Sequence, residues 1–174
     1  MEQVKWFERD FAFKPTQNIF PAVLERLVGT PVRLEEKLKT IPTDVSTIRI
    51  NDTWTIKENV GHLLDLEPLW QGRLDDILNG KADLRPADLQ NSKTNLANHN
   101  ATSMDELLHS FRRAREYTVS LLEDLREEDI FRSALHPRLK TPMRTLDLFL
   151  FVAEHDDHHL ARITELVKLA NQGK

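Results

Sequence analysis

At 174 residues, with a formal charge of −4, 40% apolar and 30% charged side chains, the chain has the size and composition of one soluble domain, spanning 1–174, that buries its own core. The acidic balance argues against broad binding to nucleic acid, which needs a basic face, and no run of about 18 apolar residues is present to span a membrane. With no cysteine, disulfides, thiolate nucleophiles and cysteine-ligated zinc are excluded. The opening MEQVKWFERDFAF lacks the apolar core and cleavage site of a secretory signal, so a cytoplasmic location is expected.

Four stretches carry apolar residues at helical spacing. The first covers roughly residues 16–38, with Phe20, Val23, Leu24, Leu27, Leu34 and Leu38 as its buried stripe. Pro31 leaves two forms open: Thr30 caps a second segment that starts at Pro31, or one longer helix kinks there. The second has a clear start, because Thr55 and Glu58 form a capping box. It should run from Ile56 to about Asn79 and stop at Gly80, with Pro68 bending it just beyond His62, where a cavity can open.

Residues 81–102 show no sustained period and read as a long connection, of the kind that is either functional or ordered by packing on the domain. Ser103 and Glu106 open the third helix, whose apolar residues Leu107, Leu108, Phe111, Ala114, Val119, Leu121, Leu122 and Leu125 mix two registers. After a further connection over 126–140, Thr141 and Pro142 mark the cap and first position of a fourth helix, which reaches about Asn171 with Gly173 beyond it. Four such stripes make an all-α fold, a four-helix bundle. The long crossover from the second helix to the third favours the order up-down-down-up over a simple alternating series.

The stretch HDDHHLARI, residues 155–163, holds three of the seven histidines. His155 and His159 are four apart, so they share one helix face at about 6 Å along the axis, close enough to converge on one ion. Their stripe continues through Phe151, Val152, Ile163 and Leu166, which points the pair into the bundle. His158 lies off that line, lateral or exposed. A third ligand must come from another helix, and His62 borders the apolar face of Ile56, Val60, Leu63, Leu66 and Leu69. Three neutral imidazoles leave coordination positions open, the pattern of a catalytic zinc and not of a closed structural one. The ordinary alternative is that these histidines are satisfied by hydrogen bonds or belong to a solvated polar face.

Around them, Asp65 and Glu58 are placed to orient the free ring nitrogen of His62, although Glu58 already has its cap role and Asp65 is equally readable as solvated. Arg162 reads first as a surface arginine whose stem covers apolar area, and second as a guanidinium at the mouth of the site. His99 reads as a polar loop residue, with a fourth-ligand or proton-shuttle role as the alternative. Trp54 and Trp70 read as packing residues, or else as walls for a substrate. No phosphate-binding glycine loop, dinucleotide fingerprint or nucleophile elbow is present.

The segment WTIKENVGHLLDLE at 54–67 resembles the W-(S/T)-x-x-E-x-x-x-H-L segment of the DinB-like metal-binding four-helix bundles. HDDHHLARI resembles their H-x-x-H-H-x-x-x-I segment, and VLERLVGTPVRLEEKL resembles their first helix, so the likeness covers nearly the whole chain. The resemblance implies that His62, His155 and His159 bind a divalent metal, typically zinc or nickel, that His158 is not a ligand, and that the protein forms a homodimer. Some members of the family are thiol-dependent enzymes that use bacillithiol or mycothiol, among them S-transferases and a maleylpyruvate isomerase. The expectation is therefore a metal-dependent enzyme, a hydrolase or thiol S-transferase, that activates water or a low-molecular-weight thiol against a small-molecule substrate. Its rival is a non-catalytic metal- or ligand-binding bundle of a stress response.

Overall fold

The computed structural model describes residues 4–9, 11 and 18–172, the side chains of the last two apart. A 3-10 turn at Trp6–Glu8 precedes α1 (Phe20–Leu38), α2 (Thr43–Ser46), α3 (Ile56–Leu78), α4 (Ser92–Leu96), a second 3-10 turn at His99–Ala101, α5 (Met104–Glu123) and α6 (Glu127–Ile130). Strands β1 (Ser133–Leu135) and β2 (Pro142–Arg144) and the long helix α7 (Thr145–Gln172) complete the chain. Helices α1, α3, α5 and α7 form the bundle. The expected start of the first helix at Thr16, and Gly173, lie outside the described residues.

Two apolar clusters reveal the directions of the helices. One joins Val23 and Leu27 of α1 to Trp70, Leu74 and Ile77 of α3, Val119 and Leu122 of α5, and Phe149 and Val152 of α7. The other joins Leu34 and Leu38 of α1 to Ile56, Val60 and Leu63 of α3, Leu107 and Phe111 of α5, and Ile163 and Leu166 of α7. Thus α1 and α7 run from the first cluster to the second, α3 and α5 run the other way, and the order is up-down-down-up. The connection after α3 carries the chain back along the bundle, as its length predicts.

Between the clusters lies a polar layer centred on Arg115 of α5, which is 1% exposed. Its Nε and Nη2 donate to Glu67 Oε1 of α3 at 2.9 and 2.7 Å, and Nη2 also donates to Asp156 Oδ1 of α7 at 3.1 Å. Nη1 donates to Asp156 Oδ2 and, at 3.4 Å, to the carbonyl of Leu27 in α1. That last bond resolves the ambiguity at Pro31, which stays inside one continuous α1. Proline has no N–H for the carbonyl four residues back, and the guanidinium uses the freed Leu27 oxygen.

The capping box at Thr55 and Glu58 forms as expected, with both reciprocal bonds present. Helix α3 continues through Pro68 to Leu78, with Asn79 as its C-cap and Gly80 at φ +68°, a conformation that glycine adopts without penalty. At α5, Ser103 accepts from the Glu106 N–H. The mixed register of that helix has a plain cause, because its buried face runs through Arg115 and Thr118 between Phe111 and Val119.

Residues 81–102 are a connection ordered by packing on the domain, as one of the two expectations had it: they carry α4 and the second 3-10 turn, packed on α3, with Asn91 and Asn98 at φ near +50° preceding them. One reading needs correction, because Thr141 and Pro142 do not start the last helix. Pro142 opens β2, which pairs antiparallel with β1 and buries Met143, and an edge strand tolerates a residue without an N–H. The end of α7 that follows is held by Asp147, whose Oδ2 accepts from the Arg144 N–H at 3.1 Å.

Among the described residues, no helix is long and apolar enough to cross a membrane. Replacing Arg115 by Met leaves Glu67 and Asp156 buried without their cation, which should cost about 3–5 kcal/mol in urea unfolding. Arg33→Met, at the exposed pair with Asp157, should cost less than about 1 kcal/mol in the same measurement.

Candidate metal centre

The polar face of α7 locks to α1. Glu154 accepts from Arg9 and Arg26, and Asp157 pairs with Arg26 and Arg33. With Asp156 held by Arg115, the remaining face carrying His155 and His159 must turn toward α3. There the structure brings together His62, His155 and His159, all buried, each offering a ring nitrogen within 4.8 Å of the other two. The spacing argument on α7 and the choice of His62 therefore converge on one point at the level of the Arg115 layer.

The protons on two of the rings are fixed by their neighbours. Asn59 donates its amide to the carbonyls of Trp54 and Thr55 at 3.3 and 2.8 Å, which leaves Oδ1 to accept, at 2.8 Å, from His159 Nδ1. The Thr94 hydroxyl donates to Asp65 Oδ2 at 2.9 Å, so at 3.1 Å it accepts from His62 Nδ1. Both rings thus turn an unprotonated Nε2 toward the centre. His155 Nε2 lies 3.2 Å from His159 Nε2, a contact that requires either a proton on His155 Nε2 donated to His159 or a cation held by both lone pairs.

Burial first, and then the neighbouring histidines, hold the pKa of His155 and His159 well below the ordinary value. For His155 the Arg115 guanidinium adds to this. Burial pushes His62 down to about 4, against the opposing pull of Asp65. Three neutral imidazoles, two of them with inward lone pairs fixed by their neighbours, are a donor set that can hold one divalent ion.

The other expected residues take supporting places. Asp65 reaches His62 through Thr94 and also pairs with His99 Nε2 at 2.8 Å. His99 is buried but stands behind the triad, its ring lying so close to Gly61 that an added Cβ would meet it at 2.3 Å. His158 is half-buried on the cavity wall beside His159, at 5.4 Å between rings, and its Nδ1 has no partner among the described residues. Arg162 lines the cavity, where the second reading placed it, and its guanidinium is bonded to Thr53 and Glu165. Trp54 and Trp70 both line the cavity.

Asn59 and Thr94 were not legible as functional residues. Asn59 sits one turn before His62, and a polar side chain on that apolar face was an available signal. Thr94 gave none, because only the docking of the 81–102 segment brings it to His62.

The triad forms part of the wall of a cavity of about 800 Å³. Leu66, Leu69, Trp70 and Phe151 supply its apolar side.

A family model described as the DinB superfamily matches residues 26–163. YfiT from Bacillus subtilis, characterised as a probable metal-dependent hydrolase with an unusual four-helix bundle topology, superposes with a TM-score of 0.77 over 91% of this chain and 94% of that one, at 22% identity. That likeness establishes a shared fold. A comparison with curated proteins found no match.

Because His62, His155 and His159 are protonated more readily unfolded than folded, their contribution to stability is present above the ordinary histidine pKa and is lost as pH falls. Chelator-treated protein should lose stability from about pH 6.5 toward pH 4, read as a falling urea midpoint. His62→Gln should flatten that slope.

Proposed function

This chain belongs to the DinB superfamily, and we propose that it is a metal-dependent enzyme of hydrolytic type, in which His62, His155 and His159 hold a divalent ion such as zinc or nickel. The observation that carries the reading is the double fixing of ring protons by Asn59 and Thr94, because a merely packed histidine needs no prescribed lone pair facing its neighbours. The description of YfiT as a probable metal-dependent hydrolase supports the same class.

An ion held there would supply Lewis acidity, making water or a low-molecular-weight thiol acidic enough to act as a nucleophile near neutral pH. The protein's own groups do the rest. Asn59 and Thr94 keep the Nε2 atoms of His159 and His62 aimed at one point. Leu66, Trp70 and Phe151 exclude bulk water from the side of the cavity next to His155, which strengthens every electrostatic contact made there. His158, whose pKa is lowered by burial and by the charges of Arg9 and Arg162, lines the cavity beside the triad. A cavity of about 800 Å³ suits a small-molecule substrate.

Protein purified without a His tag should contain close to one equivalent of tightly held metal by elemental analysis, and His155→Ala should remove it. Less than about half an equivalent, unchanged by that substitution, would overturn the proposal. A large chelator-induced drop in melting temperature without turnover of ester or amide substrates would instead assign the metal a structural role.

Thr94→Val and Asn59→Ala touch no ligand atom of the triad. Each should still weaken metal binding by about ten- to a hundredfold in a chelator competition titration. Unchanged affinity in both would show that ring orientation is set elsewhere.

A further inference from the structure

At the far end of the same cavity from His62, Arg73 of α3 and His136 of the β1–β2 turn are each 2% exposed. His136 Nδ1 accepts two backbone N–H groups, from Arg138 at 3.2 Å and Leu139 at 3.1 Å. That nitrogen is therefore unprotonated, and the neutral ring carries its proton on Nε2. Yet Nε2 lies 3.2 Å from Arg73 Nη1, and a guanidinium nitrogen only donates. Two N–H donors thus face each other, and no acceptor among the described residues bridges them.

The surroundings do not relieve this. Arg73 Nε donates to the Arg85 carbonyl at 3.1 Å, while Asp76, the nearby carboxylate, is occupied by the side chain and backbone of Arg85. Among the described residues, no carboxylate pairs with Arg73, His136 or Arg138, and Arg138 also lines the cavity. Of the three acids on the cavity wall, Asp52 lies two residues from Trp54, whose ring packs on His62 at the other end, Asp88 accepts from the Gln90 and Ser92 amides, and Glu165 pairs with Arg162. Burial and the charge of Arg138 push Arg73 down to about 10 against the opposing pull of Asp76, and burial and both arginines push His136 down to about 4.

We infer that Arg73 Nη1 and His136 Nε2, with Arg138 beside them, form a binding site for an oxyanion, and that the ligand is a small amphipathic molecule ending in a carboxylate or phosphate. An anionic oxygen placed between the two donors accepts from both and neutralises the arginines. Its apolar body runs along Trp70 and Phe151. The Arg73 guanidinium lies 5.5 Å from the Trp70 ring and the His136 ring lies 5.7 Å from Phe151. Phe151 is one helical turn before His155, so the anionic end and the triad stand on the order of 10 Å apart. The assignment of this ligand as substrate rests on the proposed function, whereas the oxyanion site itself needs no metal.

Isothermal titration of metal-free protein at low salt with 3-phenylpropionate, phenyl phosphate and the uncharged 3-phenylpropionamide tests it. One or both oxyanions should bind, the tighter identifying the head group, and the amide should bind at least about tenfold more weakly, the worth of a charge-assisted hydrogen bond. Arg73→Met should weaken oxyanion binding by about tenfold or more. His136→Asn should do the same while its amide oxygen keeps an acceptor for the two backbone N–H groups, so the result does not depend on Arg73→Met folding. His155→Ala should leave oxyanion binding intact, and that result stands even where the metal assay fails. Equal binding of acid and amide, no binding at millimolar concentration, or loss in His155→Ala with His136→Asn unchanged would overturn the inference.

Discussion

One buried arginine sets the geometry of this protein. Arg115 touches α1, α3 and α7 from α5, binding two carboxylates and a backbone carbonyl at the level where the apolar core divides in two. An isolated charge at such depth would be untenable, and a cation shared by Glu67 and Asp156 can be accommodated only where all four helices sit in register. A slip of one residue in α7 would carry Asp156 off the guanidinium and turn His155 and His159 away from α3. The arginine thus acts on the candidate metal centre without touching it. Its charge also helps keep His155 neutral.

The centre itself is organised by committed protons. Helix α3 supplies Asn59, whose amide is anchored on its own first turn, and the docked 81–102 segment supplies Thr94, whose hydroxyl is anchored on Asp65. Each anchor leaves one acceptor for one histidine Nδ1. At the other end of the cavity the same reasoning gives the opposite result, since His136 is oriented by two amides so that its proton meets Arg73. One end of the cavity therefore presents lone pairs and the other presents protons. This polarity gives a bound molecule a direction.

The bundle, its order and the histidine triad were legible in the sequence for local reasons. Helical period, the capping box at Thr55 and the four-residue spacing of His155 and His159 are properties of contiguous segments, and His62 lay on a face whose burial the period foretold. Elsewhere the determining contacts were distant. Pro31 was ambiguous because the group that uses the Leu27 carbonyl is Arg115, far along the chain. The hairpin at β1 and β2 was missed because three-residue strands carry too little alternation to show a period, and Thr141 with Pro142 imitates a helix start. Thr94 and Arg73 had no local signature at all, since each acquires its role only from the segment packed over it.

The bond from His159 to Asn59 joins residues 100 apart, with all of α5 between α3 and α7 in the chain. His62 remains an ordinary imidazole until α7 docks, and closing so long a loop is the slow, entropically costly part of assembly. A chain in which α7 has not docked presents only one of the three clustered histidines. Under the proposed assignment, the capacity to retain an ion would therefore depend on α7 having docked against α3.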